Sequence, residues 1–275
     1  MKRDHILITG VSSGLGRYLT ELLLMQGYKV AGFTRHPSRL KFLKKKYPDT
    51  FLLIHVNINN YQQVNNAVKK VIKAFRKIGV LINNAGYGQV GPVAETSIRD
   101  IKKQFDINIF ALINLTQKVI PVMRRQQQGL IINIGSSADR IVSPFNGVYA
   151  ASKHALRAFS EALCMELSPC GINVTLAEPG VLRTDYNNKI LKVGQKLYPD
   201  VHSSYKKQFK YFLDSVSGSR GMRLPLTGKK IIGIINKKNP GLYYRFDFYT
   251  RLLFFMRRFF PAPLYDYLIR KKSKL

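Results

Sequence analysis

The stretch His5-Ile6-Leu7-Ile8-Thr9-Gly10-Val11-Ser12-Ser13-Gly14-Leu15-Gly16 decides the architecture of this 275-residue chain. A short apolar run bounded by glycine reads as a buried strand, and the helical-period run from Leu15 to Gln26 reads as a helix that begins as the glycines end. The glycines permit a tight turn and close backbone approach, while the free N–H groups of the helix's first turn and its dipole favour a phosphate. Taken alone, such a loop could equally serve to relieve strain. With a strand before it and a helix after it, it points to a dinucleotide site.

Working outward, the same alternation repeats. Apolar runs at Lys29 to Phe33, Phe51 to Val56, Val80 to Asn83, Leu130 to Ile134 and Ile172 to Ala177 are separated by helical stretches at Leu40 to Tyr47, Tyr61 to Lys77, Asp106 to Gln127 and Val148 to Leu167. Buried parallel strands read as such runs and their crossovers as the amphipathic stretches between, so the fold class is α/β, a doubly wound, Rossmann-type parallel sheet. After Ala177 the rhythm breaks. Glu178 to Pro225 reads as an irregular loop over the sheet's carboxyl edge, where open α/β sheets bind ligands; Leu226 to Asn236 reads as a helix and Gly241 to Phe246 as an edge strand.

Composition narrows the classes of function. Forty-five basic against 15 acidic residues leave a net charge of +30, which attracts anionic partners, while a 45% hydrophobic share with 16 Phe and 15 Tyr supports a folded core. Cys164 and Cys170 cannot build a disulfide framework and the five histidines lack paired-ligand spacing, so a reducing, cytoplasmic setting and no metal are expected. No apolar run approaches the ~20 residues that span a bilayer, and the N-terminus lacks the apolar stretch of a signal peptide.

The glycine spacing of three then one, Thr9-Gly10-x-x-x-Gly14-x-Gly16, resembles the classical short-chain dehydrogenase/reductases. Asn83-Asn84-Ala85-Gly86 after the fourth strand, Asn108, Ser136 after the fifth, Tyr149-x-x-x-Lys153 and Pro179-Gly180 after the sixth extend the likeness over residues 5–185 in the right order. The resemblance implies one domain: a cofactor-binding and catalytic core over 5–185, a substrate loop over 186–225, and a C-terminal helix, edge strand and basic aromatic tail over 226–275. It also implies a cofactor site that includes Gly10, Ser12, Ser13, Gly14, Leu15, Gly16, Ile58, Asn84, Ala85, Gly86, Tyr149, Lys153, Pro179, Gly180 and Thr184.

The second and third strands bear on which cofactor. A ribose with free hydroxyls is held by a carboxylate about 20 residues past the glycines. Here that strand ends Gly32-Phe33-Thr34-Arg35-His36, without an acid. Arg35 offers a fixed cation and planar donor fork suited to a 2′-phosphate, so NADP(H) is expected over NAD(H). Asn57 stands where similar proteins carry an Asp against the adenine, and its amide oxygen can accept the same bond.

Tyr149 and Lys153, four residues apart on a helix, emerge on one face. A free phenol loses its proton only near pH ~10, and a neighbouring ammonium favours the phenolate. The resemblance implies that Tyr149 is the proton donor, that Lys153 holds the nicotinamide ribose, and that Asn108 joins a water-mediated relay. It also implies that Ser136, 13 residues before Tyr149, orients the substrate oxygen while Ser137 packs the loop. The implied activity is NADP(H)-dependent hydride transfer between the nicotinamide and a carbonyl or secondary alcohol of an apolar, lipid-like or steroid-like substrate. The rival is a non-catalytic dinucleotide-binding sensor or interaction protein, against which the intact Asn108, Ser136, Tyr149 and Lys153 set speaks.

Two further partners are expected. Ile107, Ile109, Phe110, Leu112 and Ile113 surround much of one helix, which therefore needs cover on several sides, and similar proteins pair such helices in homo-oligomers. Leu226 to Leu275 carries 12 Lys and Arg against Asp247 and Asp266, interleaved with aromatics. Phe248 to Lys274 therefore reads either as a segment for an anionic membrane surface or as a helix packed on the core. Nucleic acid is not expected, since no recognised module accompanies the charge.

Overall fold

Alternation along β1 (His5–Thr9) explains the two cores. Ile6 and Ile8 join one buried cluster and Leu7 the other, as successive side chains of a strand must. The computed structural model describes residues 3–218 and 221–273; Met1, Lys2, Ser219 and Arg220 of the expected substrate loop, and Lys274 and Leu275 of the expected tail lie outside them. Among these residues β1, β2 (Lys29–Thr34), β3 (Phe51–His55), β4 (Val80–Asn83), β5 (Gly129–Ile134), β6 (Ile172–Glu178) and β7 (Tyr243–Arg245) form one sheet in the order β3-β2-β1-β4-β5-β6-β7, and every neighbouring pair is parallel.

Helices cover both faces. On one lie α1 (Gly14–Met25), which contributes Leu15, Leu19 and Leu23, and α9 (Leu224–Asn236), which contributes Ile231, Ile234 and Ile235. On the other lie α3 (Tyr61–Phe75), with Val64, Val68 and Val71 inward, α5 (Ala111–Arg125), with Leu115, Val119 and Met123, and α6 (Gly147–Leu167), which ends on Leu167. The short α2 (Lys41–Lys46) precedes β3. Strand order reverses between β1 and β4, so the connections that follow them leave toward opposite faces and open a crevice at their carboxyl ends, the usual ligand site of such sheets.

Two readings of local structure are corrected. The continuous helix expected from Asp106 to Gln127 is instead α4 (Ile98–Phe105), a π turn at Asp106–Phe110 and α5. Helical periodicity cannot reveal a one-residue insertion of this kind, which recurs at functional sites. Glu178 to Pro225 is not an irregular loop. It contains α7 (Tyr186–Leu197) and α8 (Ser203–Ser217), an apolar helix pair in which Phe209 and Leu213 are buried against Phe145 and Val201, with Leu191, Leu197, Tyr198 and Phe212 around them. The apolar stripe of α8 is narrow, and its lysines and serines mask the period. The expected edge strand is β7, and the tail forms α10 (Phe248–Phe259) and α11 (Ala262–Lys272).

The glycine turn is built for close approach. A Cβ on Gly16 would overlap Asn84 Nδ2 and the Gly10 carbonyl oxygen, both on backbone or side chains pinned by the strand ends. Gly16→Ala gains about 1 kcal/mol of helix propensity but forces a clash costing about 1–3 kcal/mol. Urea unfolding is therefore expected to show a net loss of stability; an equal or higher midpoint would mean that α1 can retreat freely.

Candidate active site

At the switch point, the N–H of Asn84 (3.1 Å) and that of Ala85 (3.0 Å) donate to Thr9 Oγ1, and Asn84 Nδ2 donates to the Thr9 carbonyl (2.8 Å). These bonds join the ends of β1 and β4 under the glycine turn. Gly10 (φ +73°) and Gly14 (φ +56°) take left-handed backbone conformations that other residues adopt at a cost. Ser13 is the N-cap of α1 but makes no side-chain cap, so the first-turn N–H groups of Gly14, Leu15 and Gly16 have no side-chain acceptor there. Lys189 Nζ reaches Ser13 Oγ at 2.9 Å, and Thr184 stands against Gly14. An uncapped helix start flanked by a lysine and a threonine fits the phosphates of a dinucleotide.

Around this turn, Ser12 is half-buried and Arg35 is exposed at the end of β2, with no carboxylate paired to it among the described residues. Ile58 and Ala85 line a small crevice with Thr9, Ile107 and Leu112. Asn57 is exposed, and its Oδ1 already accepts from Asn59 N at 3.2 Å, so an adenine donor would share that oxygen with a local turn. Gly86 lies beside Asn108 Oδ1.

The carboxyl ends of β5 and β6 carry the remaining groups. Lys153 is buried and donates from Nζ to the carbonyl of Ile134, the last residue of β5, at 2.7 Å. Its Nζ lies 5.8 Å from the centroid of the Tyr149 ring, so the two side chains share a face of α6. Ser136 follows two residues after Ile134. Its Oγ accepts from Ala138 N at 3.2 Å, which leaves the hydroxyl proton to donate elsewhere. Asn108, in the π turn, is buried and fully engaged: Oδ1 accepts from Tyr87 N (2.9 Å), and Nδ2 donates to Tyr87 O and Ser152 Oγ (3.1 Å each). The structure therefore brings Ser136, Tyr149 and Lys153 to one edge, and ties Asn108 to Tyr87 and Ser152 rather than to Lys153.

Several residues at this edge escaped the sequence reading. Gln104 Nε2 also donates to Ser152 Oγ, which donates to the Tyr149 carbonyl at 2.7 Å, so two buried amides on α4 and the π turn fix the start of α6. Tyr186, the first residue of α7, sits with its ring centroid 6.3 Å from that of Tyr149. Desolvation, and then the charge of Tyr149 and a hydrogen bond with it, push the Tyr186 phenol well above its usual range. A Cβ on Gly88 would lie 2.7 Å from the Tyr186 hydroxyl, so that glycine makes room for it. Pro179 and Gly180 follow β6, and a Cβ on Gly180 would overlap the Asp247 carboxylate.

Behind Ser136 lies a buried acid pair. Asp139 and Glu178 have no exposed side-chain surface; Arg140 Nε is 3.4 Å from Glu178 Oε1, and Arg245 Nε is 3.3 Å from Glu178 Oε2. Both guanidiniums lie over the rings of Tyr243 and Phe254. Desolvation, reinforced by the charge of Glu178 and a hydrogen bond with it, pushes the Asp139 carboxyl up to about 8, against the opposing charges of Arg140 and Lys153.

With this geometry in place, the chain matches the family model of the short chain dehydrogenases over residues 4–193. This protein is a short-chain dehydrogenase/reductase. The dehydrogenase is 34% identical over 248 residues, 87% of each chain, to an NADPH-dependent 3-dehydrocapnine reductase of Ornithobacterium rhinotracheale. It is 32% identical over 275 residues, 98% of each chain, to a 3-ketodihydrosphingosine reductase of Bacteroides thetaiotaomicron. A short-chain dehydrogenase from Streptomyces avermitilis has the same fold at a TM-score of 0.84, with 24% identity over 99% of this chain and 98% of that one. The dehydrogenase is thus an oxidoreductase of the CH–OH/carbonyl class on a nucleotide-binding fold.

Asp139 makes a pH prediction. The folded dehydrogenase keeps this carboxyl protonated up to about pH 8, whereas the unfolded chain releases the proton near pH 4. Its contribution to stability is whole below the unfolded value and is lost as pH rises to the folded one. Asp139→Asn, which cannot ionise, is expected to flatten the decline in unfolding midpoint between about pH 5 and about pH 8. An unchanged slope would place the ionisation elsewhere.

Proposed function

We propose that the chain is a cytoplasmic, NADP(H)-dependent reductase of the ketone group in a long-chain, lipid-like substrate. The observation that carries this reading is the shared edge at the end of β5, where Lys153 is pinned to the Ile134 carbonyl with Tyr149 on the same face of α6 and Ser136 two residues past that carbonyl. The bound nicotinamide would supply or accept a hydride. Tyr149 gives its phenolic proton to the substrate oxygen, which Ser136 orients by donating its hydroxyl proton. Lys153 holds the ribose hydroxyls beside the phenol. Asn108 and Gln104 act through Ser152 by positioning the first turn of α6, and Asn108 serves the relay only through that turn or a water. Gly10, Ser12, Ser13, Gly14, Leu15, Gly16 and Thr184 take the phosphates; Asn57, Ile58, Asn84, Ala85 and Gly86 flank the adenosine side; Pro179 and Gly180 border the nicotinamide.

The apolar pair α7–α8, which starts with Tyr186 beside Tyr149, supports a substrate with a long apolar body. Reduction of a ketone is supported by the name of the 3-ketodihydrosphingosine reductase above, and NADPH as donor by that of the NADPH-dependent 3-dehydrocapnine reductase. Exposed Ile98, Phe110, Phe159 and Met165 on α4, the π turn and α6 support a homo-oligomer, although Ile109 and Leu112 are already buried inside the chain. Among the described residues no helix is long and apolar enough to cross a membrane.

Following nicotinamide absorbance with purified protein and a panel of short- and long-chain ketones tests the reaction; loss of NADPH with no ketone consumed would refute it. Tyr149→Phe is expected to lower turnover by about 10²–10⁴-fold while cofactor binding persists. Ser136→Ala is expected to be severe and Ser137→Ala mild, and the reverse order would transfer the substrate contact to Ser137. Arg35→Ala should weaken NADPH by about 10- to 100-fold, the loss of one charge-assisted phosphate contact, and leave NADH nearly unchanged. Equal losses in titrations of both cofactors would contradict the 2′-phosphate assignment.

A further inference from the structure

Helix α10 has an inner face that is satisfied and an outer face of the wrong polarity for water. Inward, Thr250 and Phe254 are buried one turn apart, and Asp247 caps the helix by accepting from Thr250 N at 2.7 Å and from Thr250 Oγ1 at 2.8 Å. The same Asp247 packs on Gly180, so the helix starts at the carboxyl end of β6, against the active-site edge. Outward, Phe248, Leu252, Phe255 and Phe259 are 79%, 42%, 57% and 62% exposed. At 3.6 residues per turn these four fall within about 60° of one another, a single stripe.

The stripe is flanked by cations. Arg251 and Arg258, seven residues apart, are exposed along one side, and the Arg258 guanidinium lies 5.8 Å from the Phe259 ring, which itself packs 4.5 Å from the Phe255 ring. From α11, exposed Leu264 and Tyr267 add apolar surface and exposed Arg270 and Lys271 add charge. An outward apolar stripe edged by arginines suits the boundary between acyl chains and anionic headgroups, where rings enter and guanidiniums stay with phosphate.

We infer that the outer face of α10, with α11, docks the protein on an anionic lipid surface. The docking rests on the helix itself; only its consequence, that substrate arrives from the bilayer beside the active-site edge, rests on the lipid-like substrate proposed above.

Vesicle sedimentation of the full chain tests this directly. Vesicles of equimolar phosphatidylcholine and phosphatidylglycerol are compared with phosphatidylcholine alone, at low and moderate salt. The chain is expected to pellet with the anionic vesicles, less at moderate salt but still measurably, because ring insertion is not screened. Phe255→Ser combined with Phe259→Ser, both at exposed sites, should lower partitioning at least about tenfold at either salt. Arg251→Gln with Arg258→Gln should remove mainly the salt-dependent part. No pelleting at low salt, complete loss at moderate salt, or indifference to the Phe255/Phe259 pair would each overturn the inference; the last, if that pair instead splits an oligomer in light scattering, would make the stripe a contact between copies. A chain that pellets through these rings yet reduces no ketone supports docking and contradicts the proposed reaction alone.

Discussion

The side-chain amide of Asn84, donating to the carbonyl of Thr9, ties the end of β1 to the end of β4 where the ladder between them stops. Chain order runs one way from β1 and the other way from β4, so beyond the last paired residues the chain leaves the two strands toward opposite faces of the sheet. An amide that replaces the missing ladder closes the floor of the crevice, and Thr9 Oγ1 completes it by accepting from Asn84 N and Ala85 N. Gly16 then fits α1 against that same amide, so the helix start, its free N–H groups and the strand ends form one rigid unit. A larger residue at position 16, or the loss of the amide, would move the glycine turn and the β4 end together.

On the other side of the crevice the rigidity comes from buried polar side chains. Asn108 and Gln104 both donate to Ser152, and Ser152 donates to the Tyr149 carbonyl, so the first turn of the helix that carries the phenol is held by groups from two other elements. Burying such amides is costly unless they are satisfied, and here they are bonded to Tyr87, Gln89 and Ser152. Lys153 uses the Ile134 carbonyl in the same way. The start of α6 and the Lys153 ammonium are therefore held in place by the chain's own groups, the kind of preorganisation that the proposed proton donation by Tyr149 requires.

What the sequence made legible was whatever is written in local pattern. The strands announce themselves as apolar runs, β4 to the residue, the glycine turn sits between the first of them and its helix, and the four-residue spacing of Tyr149 and Lys153 puts both on one face of α6. Features that depend on distant parts of the chain were hidden. The acidity of Asp139 is set by burial and then by Glu178 at the end of β6, the place of Tyr186 by a helix start far from Tyr149, and the role of Ser152 by two amides some 45 residues upstream. The α7–α8 pair was hidden for another reason: its apolar stripe is narrow and its surface rich in lysine, so composition outweighed period. The π turn adds one residue to a helix, and averaged periodicity passes over it.

The proposed reaction is most directly exposed to test at its hydride, which would pass from bound NADPH to a ketone carbon at the edge where Ser136, Tyr149 and Lys153 meet. Incubating the wild-type protein with NADPH deuterated at the transferable position of the nicotinamide, together with a long-chain ketone, tests it by mass spectrometry of the alcohol. The account predicts one deuterium on the carbinol carbon for each cofactor oxidised. Oxidised cofactor with no deuterium in the alcohol, or no alcohol formed from any ketone supplied, would contradict it.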